Sequence, residues 1–166
     1  MSTSPDTPAG DIRWDLEPME TLIDHIVTTY HGPHRVALAR LKVTAAEVER
    51  LHGARDGRIA EVHQTILGLS AALEKHMREE EDSLFPTILR GEGASTREQL
   101  TSMEGEHDTA GGVLAKLRDL TDDYTAPEGA CGTWRELWSG LEELERAVLA
   151  HIDLENNVLH RRAIAE

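Results

Sequence analysis

The sequence predicts an all-α protein, an antiparallel up-down-up-down four-helix bundle built from an internal two-fold repeat of a helix pair. Three observations carry this. Four stretches place apolar residues at i, i+3 or i+4, and i+7, the spacing of a helix buried along one face. The connections between them are short and rich in Gly, Pro, Ser and Thr, so consecutive helices must run antiparallel. No segment alternates apolar and polar residues with the period of two that a half-buried strand needs. At 166 residues the chain is long enough for one domain with a sizeable core.

Residues 1–15 hold Ser, Thr, Pro and Gly and little apolar content, and are expected to form a flexible tail. Residues 16–166 form the bundle, with Trp14 and Leu16 as candidates to pin the tail to it. The first helix is expected from about Pro18 to about Leu51. Ile23, Val27, Tyr30, His34, Leu38, Leu41, Ala45 and Val48 trace its buried side, and His31 lies at the edge. Pro33 sits inside this pattern and should kink the helix just after His31, because it removes a hydrogen bond. Gly53 and Gly57 end the element. The second helix is expected from about Arg58 to Leu89, with Ile66, Leu69, Leu73, Met77, Leu84 and Phe85 inward, Pro86 in its last turn, and Arg90 to Gly93 as the turn.

Ser95-Thr96-Arg97-Glu98 has the form of a capping box that starts the third helix. That helix runs to about Asp122, with Leu100, Met103, His107, Leu114 and Leu117 inward, and Gly111-Gly112 weakening it one turn past His107. Thr121 to Gly132 reads as a loop. Thr133-Trp134-Arg135-Glu136 is a second capping-box pattern. It opens a fourth helix with Trp134, Leu137, Trp138, Leu141, Leu144, Val148, Ile152, Val158 and Leu159 inward, ending near Arg162.

The formal net charge of −14 argues against nucleic acid and anionic membrane as partners. The single Cys allows no internal disulfide, which suits a reducing compartment. No apolar run approaches the ~20 residues of a membrane span, and Met1 to Asp11 lacks the basic and apolar regions of a signal peptide. A cytoplasmic location is expected.

Nine His beside one Phe is an unusual balance, and the placement of these His is informative. His76 and Glu80 fall on the apolar stripe of the second helix, four residues apart, so imidazole and carboxylate point the same way. A buried unpaired carboxylate is costly, and no Lys or Arg shares the seam. A metal ion would neutralise it, and imidazole with carboxylate suits iron, zinc or manganese. A single His-x-x-x-Glu pair is ordinarily a surface ion pair. Here the motif recurs as His151 and Glu155, again inside an apolar stripe.

The recurrence is part of a longer repeat. His31-Gly32-Pro33-His34-Arg35-Val36-Ala37-Leu38-Ala39-Arg40-Leu41 aligns with His107-Asp108-Thr109-Ala110-Gly111-Gly112-Val113-Leu114-Ala115-Lys116-Leu117 at an offset of 76, and both His76 to His151 and Glu80 to Glu155 are offsets of 75. Two helix pairs about a pseudo-twofold axis would supply four His and two Glu to one centre. That inventory suits two metals bridged by the two carboxylates, each with two His, an oxide or hydroxide bridge, and one position open to a small ligand. Ferritin-like bundles use more carboxylate and Glu-x-x-His spacing, so this is a different kind of site.

These residues resemble the hemerythrin-like proteins, and among them the di-iron family that repairs iron–sulfur clusters (repair of iron centres). The matching blocks are Ile23-Asp24-His25-Ile26 with Tyr30-His31, Val48-Glu49-Arg50-Leu51-His52, His76-Met77-Arg78-Glu79-Glu80 with Leu84-Phe85-Pro86, Glu106-His107-Asp108, Ala130-Cys131-Gly132-Thr133-Trp134, and His151-Ile152-Asp153-Leu154-Glu155-Asn156-Asn157-Val158-Leu159. They span about Leu22 to Ala163. The resemblance implies two non-haem iron ions with an oxo or hydroxo bridge, held by His31, His76, Glu80, His107, His151 and Glu155. It implies action on iron–sulfur client proteins damaged by nitrosative or oxidative stress, with oxygen or nitric oxide as small ligands, in a monomer or homodimer. The alternative is a carrier or sensor that binds oxygen or nitric oxide reversibly.

Three departures from the family pattern stand out. Many members carry an N-terminal domain with adjacent cysteines, which this chain is read as lacking. Leu159-His160-Arg161 replaces the second Leu-Phe-Pro. Gly111 stands where oxygen-carrying hemerythrins have a further His, four residues after His107, which favours repair over carriage. Among the remaining histidines, His52 is about 21 residues past His31 on one helix, roughly 30 Å along its axis, and reads as outside the centre. His34 reads as a supporting residue behind the ligands, His160, one turn beyond Glu155, only as a minor candidate for the same role, and His25 and His63 as partly exposed. Cys131 reads as structural, and Glu79 and Glu81 as lying on the solvated face.

Overall fold

A computed structural model of the chain describes residues 12–165; most of the tail expected over residues 1–15 lies outside them. The apolar stripes produce four long helical legs, and no strand occurs among the described residues. The first leg is α1 (Met19–Ile26) and α2 (Gly32–His52), joined without a break by a π turn, Val27–His31. The second is α3 (Arg58–Glu79), a π turn at Glu80–Leu84, and α4 (Phe85–Leu89). The third is α5 (Arg97–Leu120), entered through a 3-10 turn at Gly93–Thr96. The fourth is α6 (Gly132–Leu154), a π turn at Glu155–Leu159, and α7 (His160–Ala165). α2 packs on α3 and α6, and α5 on the same two helices from the far side, so the legs form the expected square up-down-up-down bundle.

The core has two parts. One fills the end where α2 meets α3, with Leu41, Val48, Ile59, Ile66, Leu117, Trp134 and Trp138 among its members. The other fills the opposite end, with Leu22, Ile26, Leu84, Phe85, Leu100 and Leu159. At that second end Gly93 lets the chain meet the last helix: a Cβ there would lie 2.1 Å from the Ala163 carbonyl oxygen.

Several local expectations are corrected. Neither capping box forms. Thr96 is the N-cap of α5, but its hydroxyl donates backwards to the Gly93 carbonyl at 2.6 Å, as Ser95 does to Glu92 at 2.7 Å. The N-cap of α6 falls two residues early, at Cys131, with Thr133 already inside the first turn. Pro33 falls in the first turn of α2, where a missing N–H is tolerated, so the helix passes through a π turn rather than a break. Trp14 does pin the chain entrance: it stacks on His25 at 4.1 Å, and Arg162 donates to its carbonyl at 2.9 Å. Leu16 is exposed and pins nothing. No described helix is long and apolar enough to cross a membrane.

Candidate metal centre

Three of the six expected ligands sit at π turns. His31 ends the first, while Glu80 and Glu155 begin the second and third. Each turn is closed by a backbone N–H reaching five residues back: Gly32 to Val27, Phe85 to Glu80, and His160 to Glu155. The extra residue per turn re-phases the buried stripe. Ile26 and His31, Glu80 and Phe85, Glu155 and His160 are each five apart, and all six are buried. At strict 3.6 spacing Val27 and Tyr30 should have been the inward pair. They are only half-buried, and His31, expected at the edge, is at the centre.

The six residues meet in the layer between the two parts of the core, all of them buried. They form two interlocking groups: His31, Glu80, His151 and Glu155, and His76, Glu80, His107 and Glu155. Within each group one ligand atom per residue lies within 4.8 Å of all the others. Glu80 and Glu155 belong to both. Glu80 offers Oε2 to His31 Nε2 at 3.2 Å and Oε1 to His76 Nε2 at 3.1 Å. Glu155 offers Oε1 to His151 Nε2 at 2.8 Å and Oε2 to His107 Nε2 at 3.1 Å. Each carboxylate thus spans one His of each group.

A cation fits this arrangement on the chemistry of the donors. Every one of the four imidazoles has its Nδ1 engaged from behind. His31 meets Glu81 at 2.8 Å, His76 meets Glu106 at 2.7 Å, His107 meets the Asn156 side-chain oxygen at 2.8 Å, and His151 meets His34 Nε2 at 3.2 Å. Carboxylates and amide oxygens only accept, so the first three imidazoles carry their proton on Nδ1. Their Nε2 lone pairs then face inward, toward carboxylate oxygens that also only accept. His76 Nε2 and His107 Nε2 stand 3.0 Å apart. His31 Nε2, both oxygens of Glu80 and Oε2 of Glu155 are buried with no well-formed hydrogen bond. Acceptors turned on one another in a dry interior are costly and are satisfied by a metal ion whose ligands are oriented from behind.

Without a metal, protons take its place. Burial pushes the His31 imidazole down, but the surrounding Glu155 and Glu80 carboxylates outweigh it and carry it up to about 10. His76 is likewise lowered by burial and raised more by Glu80 and then Glu106, reaching about 9. His107 also rises, as Glu155 overcomes burial. Glu155 itself, raised by burial but faced by His151, His107 and His31, ends well below the usual carboxylate range.

The remaining polar residues sort clearly. Glu81, expected on the solvated face, instead turns in to hold His31 and is gripped by Arg35. Glu106 and Asn156 stood only as members of longer sequence blocks; the signal that could have found them is their position next to His107 and Glu155. His34 backs His151, and burial followed by the neighbouring His151 and His31 pushes it down to about 3. His160 is buried against His107. His52 lies outside both groups, with its Nε2 3.1 Å from Cys131 Sγ. A cavity of about 200 Å³, lined chiefly by apolar residues such as Leu73, Ala110, Val113 and Val148, reaches His76, His107 and His151 from between α3, α5 and α6.

Comparison with known proteins identifies the family. Residues 22–163 match the hemerythrin HHE cation binding domain. The iron-sulfur cluster repair protein YtfE of Edwardsiella ictaluri is 40% identical over 160 residues, 96% of this chain and 72% of that protein. The protein of the same name from Yersinia pseudotuberculosis is 38% identical over 157 residues, 95% of this chain and 71% of its own length. The chain therefore belongs to the hemerythrin HHE cation-binding family and, within it, to the family of these YtfE proteins.

Proposed function

We propose that this chain holds two iron ions between His31, His76, His107 and His151, with Glu80 and Glu155 bridging them, and that it acts in repairing iron–sulfur clusters damaged by nitrosative or oxidative stress. The observation that carries the reading is the pair of donor groups sharing both carboxylates. Shared carboxylates suit two cations held close together, and the names of the relatives supply the repair role. Bound iron would supply exchangeable metal and open positions for oxygen or nitric oxide.

The rest is work done by the chain. Glu81, Glu106, Asn156 and His34 hold the four imidazoles with their Nε2 atoms inward. The apolar residues of the cavity offer small ligands a water-poor approach to the centre at His76, His107 and His151. At a formal net charge of −14 the surface suits a client with a basic face. Gly111, with nothing within 4 Å of where its Cβ would stand, leaves the centre four His rather than five and favours donation of iron over stable carriage of oxygen. We place the protein in the cytoplasm, where its clients would be.

The experiment is to mix the iron-loaded ferrous protein with an enzyme whose cluster has been damaged by nitric oxide. Recovery of that enzyme's activity above a control of free ferrous iron with chelator supports donation. Recovery equal to the control removes it, and a reversible oxygen adduct without iron loss puts a carrier or sensor in its place.

A further inference from the structure

Phe85 and His160 are counterparts in the two halves of the repeat, 75 residues apart. Each is the first residue after a π turn. Each lays its ring on a ligand imidazole: Phe85 on His31 at 5.8 Å with an interplanar angle of 21°, His160 on His107 at 5.8 Å and 11°. The first half therefore closes its side of the centre with a hydrocarbon ring, and the second half with an imidazole. Packing alone does not call for the difference, since the same position in the first half is filled without a polar atom.

The imidazole is also incompletely used. His160 is 1% exposed. Its Nδ1 lies 3.2 Å from Glu104 Oε1 on α5. A carboxylate only accepts, so the ring proton is on Nδ1 and the lone pair is on Nε2. That Nε2 is buried and has no partner. Leaving a buried acceptor unpaired costs stability. Nor is His160 one of the converging donors, so as it stands it is a neighbour of the centre and not a ligand.

Resting on the di-iron reading above, we propose that His160 is a specificity-determining residue: its Nε2 accepts a hydrogen bond from a small O–H-bearing ligand of the centre, such as water or hydrogen peroxide. It thereby favours such ligands over aprotic ones such as azide or nitric oxide. The side of the centre roofed by Phe85 has no such preference, so the pseudo-symmetric pair is chemically uneven. The His76 and His107 side retains a water-class ligand, and the His31 and His151 side is the freer one for aprotic ligands.

The test uses the full chain, loaded with iron and oxidised, and titrated with azide by its optical charge-transfer band. Wild type is compared with His160→Phe, which repeats the residue found at position 85, and with His160→Gln, which keeps a buried acceptor. Iron content is measured first. If the inference holds, iron content is unchanged, His160→Phe binds azide about 2- to 10-fold more tightly because the displaced water has lost one hydrogen bond, and His160→Gln stays near wild type. Equal azide affinity in wild type and His160→Phe overturns it. Loss of iron in His160→Phe also overturns it, by making His160 a ligand. A wild type that takes up no iron defeats the di-iron reading itself and this inference with it.

Discussion

Glu81 accepts a hydrogen bond from His31 Nδ1–H at 2.8 Å while Arg35 holds both of its oxygens, at 2.8 and 3.1 Å. Arg35 is in turn tied to Glu74 at 2.8 Å. The imidazole that faces the centre is thus fixed by a three-residue chain running out to the surface of the second leg. Burial raises the Glu81 carboxyl, but Arg35 and His31 outweigh it and keep it below its ordinary value, so it stays charged and accepting. Glu81→Ala should leave the bundle folded and weaken iron binding by about 10- to 100-fold, as removal of such supporting partners does. Equilibrium dialysis against a competing chelator measures this, and wild-type affinity in the variant would show the contact to be incidental.

Removing a shared carboxylate should do more. Glu80→Ala or Glu155→Ala takes a donor from both groups at once, so each variant should fail to retain iron through desalting. Because metal binding energy is folding energy, each should also lose the gain in melting temperature that iron gives the wild type. His52→Ala, at the opposite end of the core beside Cys131, should keep its full iron complement. Loss of iron in His52→Ala alone would overturn the placement.

The pH dependence follows from the protons that occupy the metal-free centre. His31 and His76 are raised to about 10 and about 9. The stability they give the metal-free bundle is fully present below the ordinary imidazole value and is lost as pH rises through about 9 to 10. Glu155 is held low, so its contribution is present above the ordinary carboxylate value and is lost in acid. Melting of the metal-free protein should therefore peak between mildly acid and neutral pH and fall toward pH 10. Iron must displace those protons, so iron affinity should move the other way and drop as pH is lowered. A metal-free protein that gains stability from pH 7 to pH 10 would contradict the proton assignment.

Helix loosening was expected symmetrically, at Pro33 beside His31 and at Gly111-Gly112 beside His107. The two sides differ. The first leg opens into a π turn at Val27–His31, while α5 runs as a regular helix through both glycines. Amide hydrogen exchange should be faster over residues 27–36 than over 105–114. Equal protection of the two segments would show that the π turn does not loosen the first leg.

Much of this was legible in the sequence, for identifiable reasons. The bundle followed from period, and the six inward residues followed from His-x-x-x-Glu lying on an apolar stripe twice, in register with a second pair of His. What escaped was whatever depends on departure from the 3.6 period. The π turns each insert one residue, which is why Val27 and Tyr30 were assigned inward and His31 to the edge. Glu81 was assigned to water because it follows a ligand directly, and helical spacing cannot show that Arg35 and His31 reach it from the first leg. The two capping boxes failed because Ser95 and Thr133 fit the pattern, but the chain enters α5 through a 3-10 turn and α6 through an extended Cys131.

The central claim is that six side chains, two of them shared, hold a pair of iron ions. Iron per chain, measured after anaerobic loading with ferrous iron and removal of the excess, tests it most directly. The geometry of two donor groups joined through Glu80 and Glu155 predicts two irons per chain in the wild type and loss of both in Glu80→Ala. One iron per chain or fewer in the wild type would contradict it.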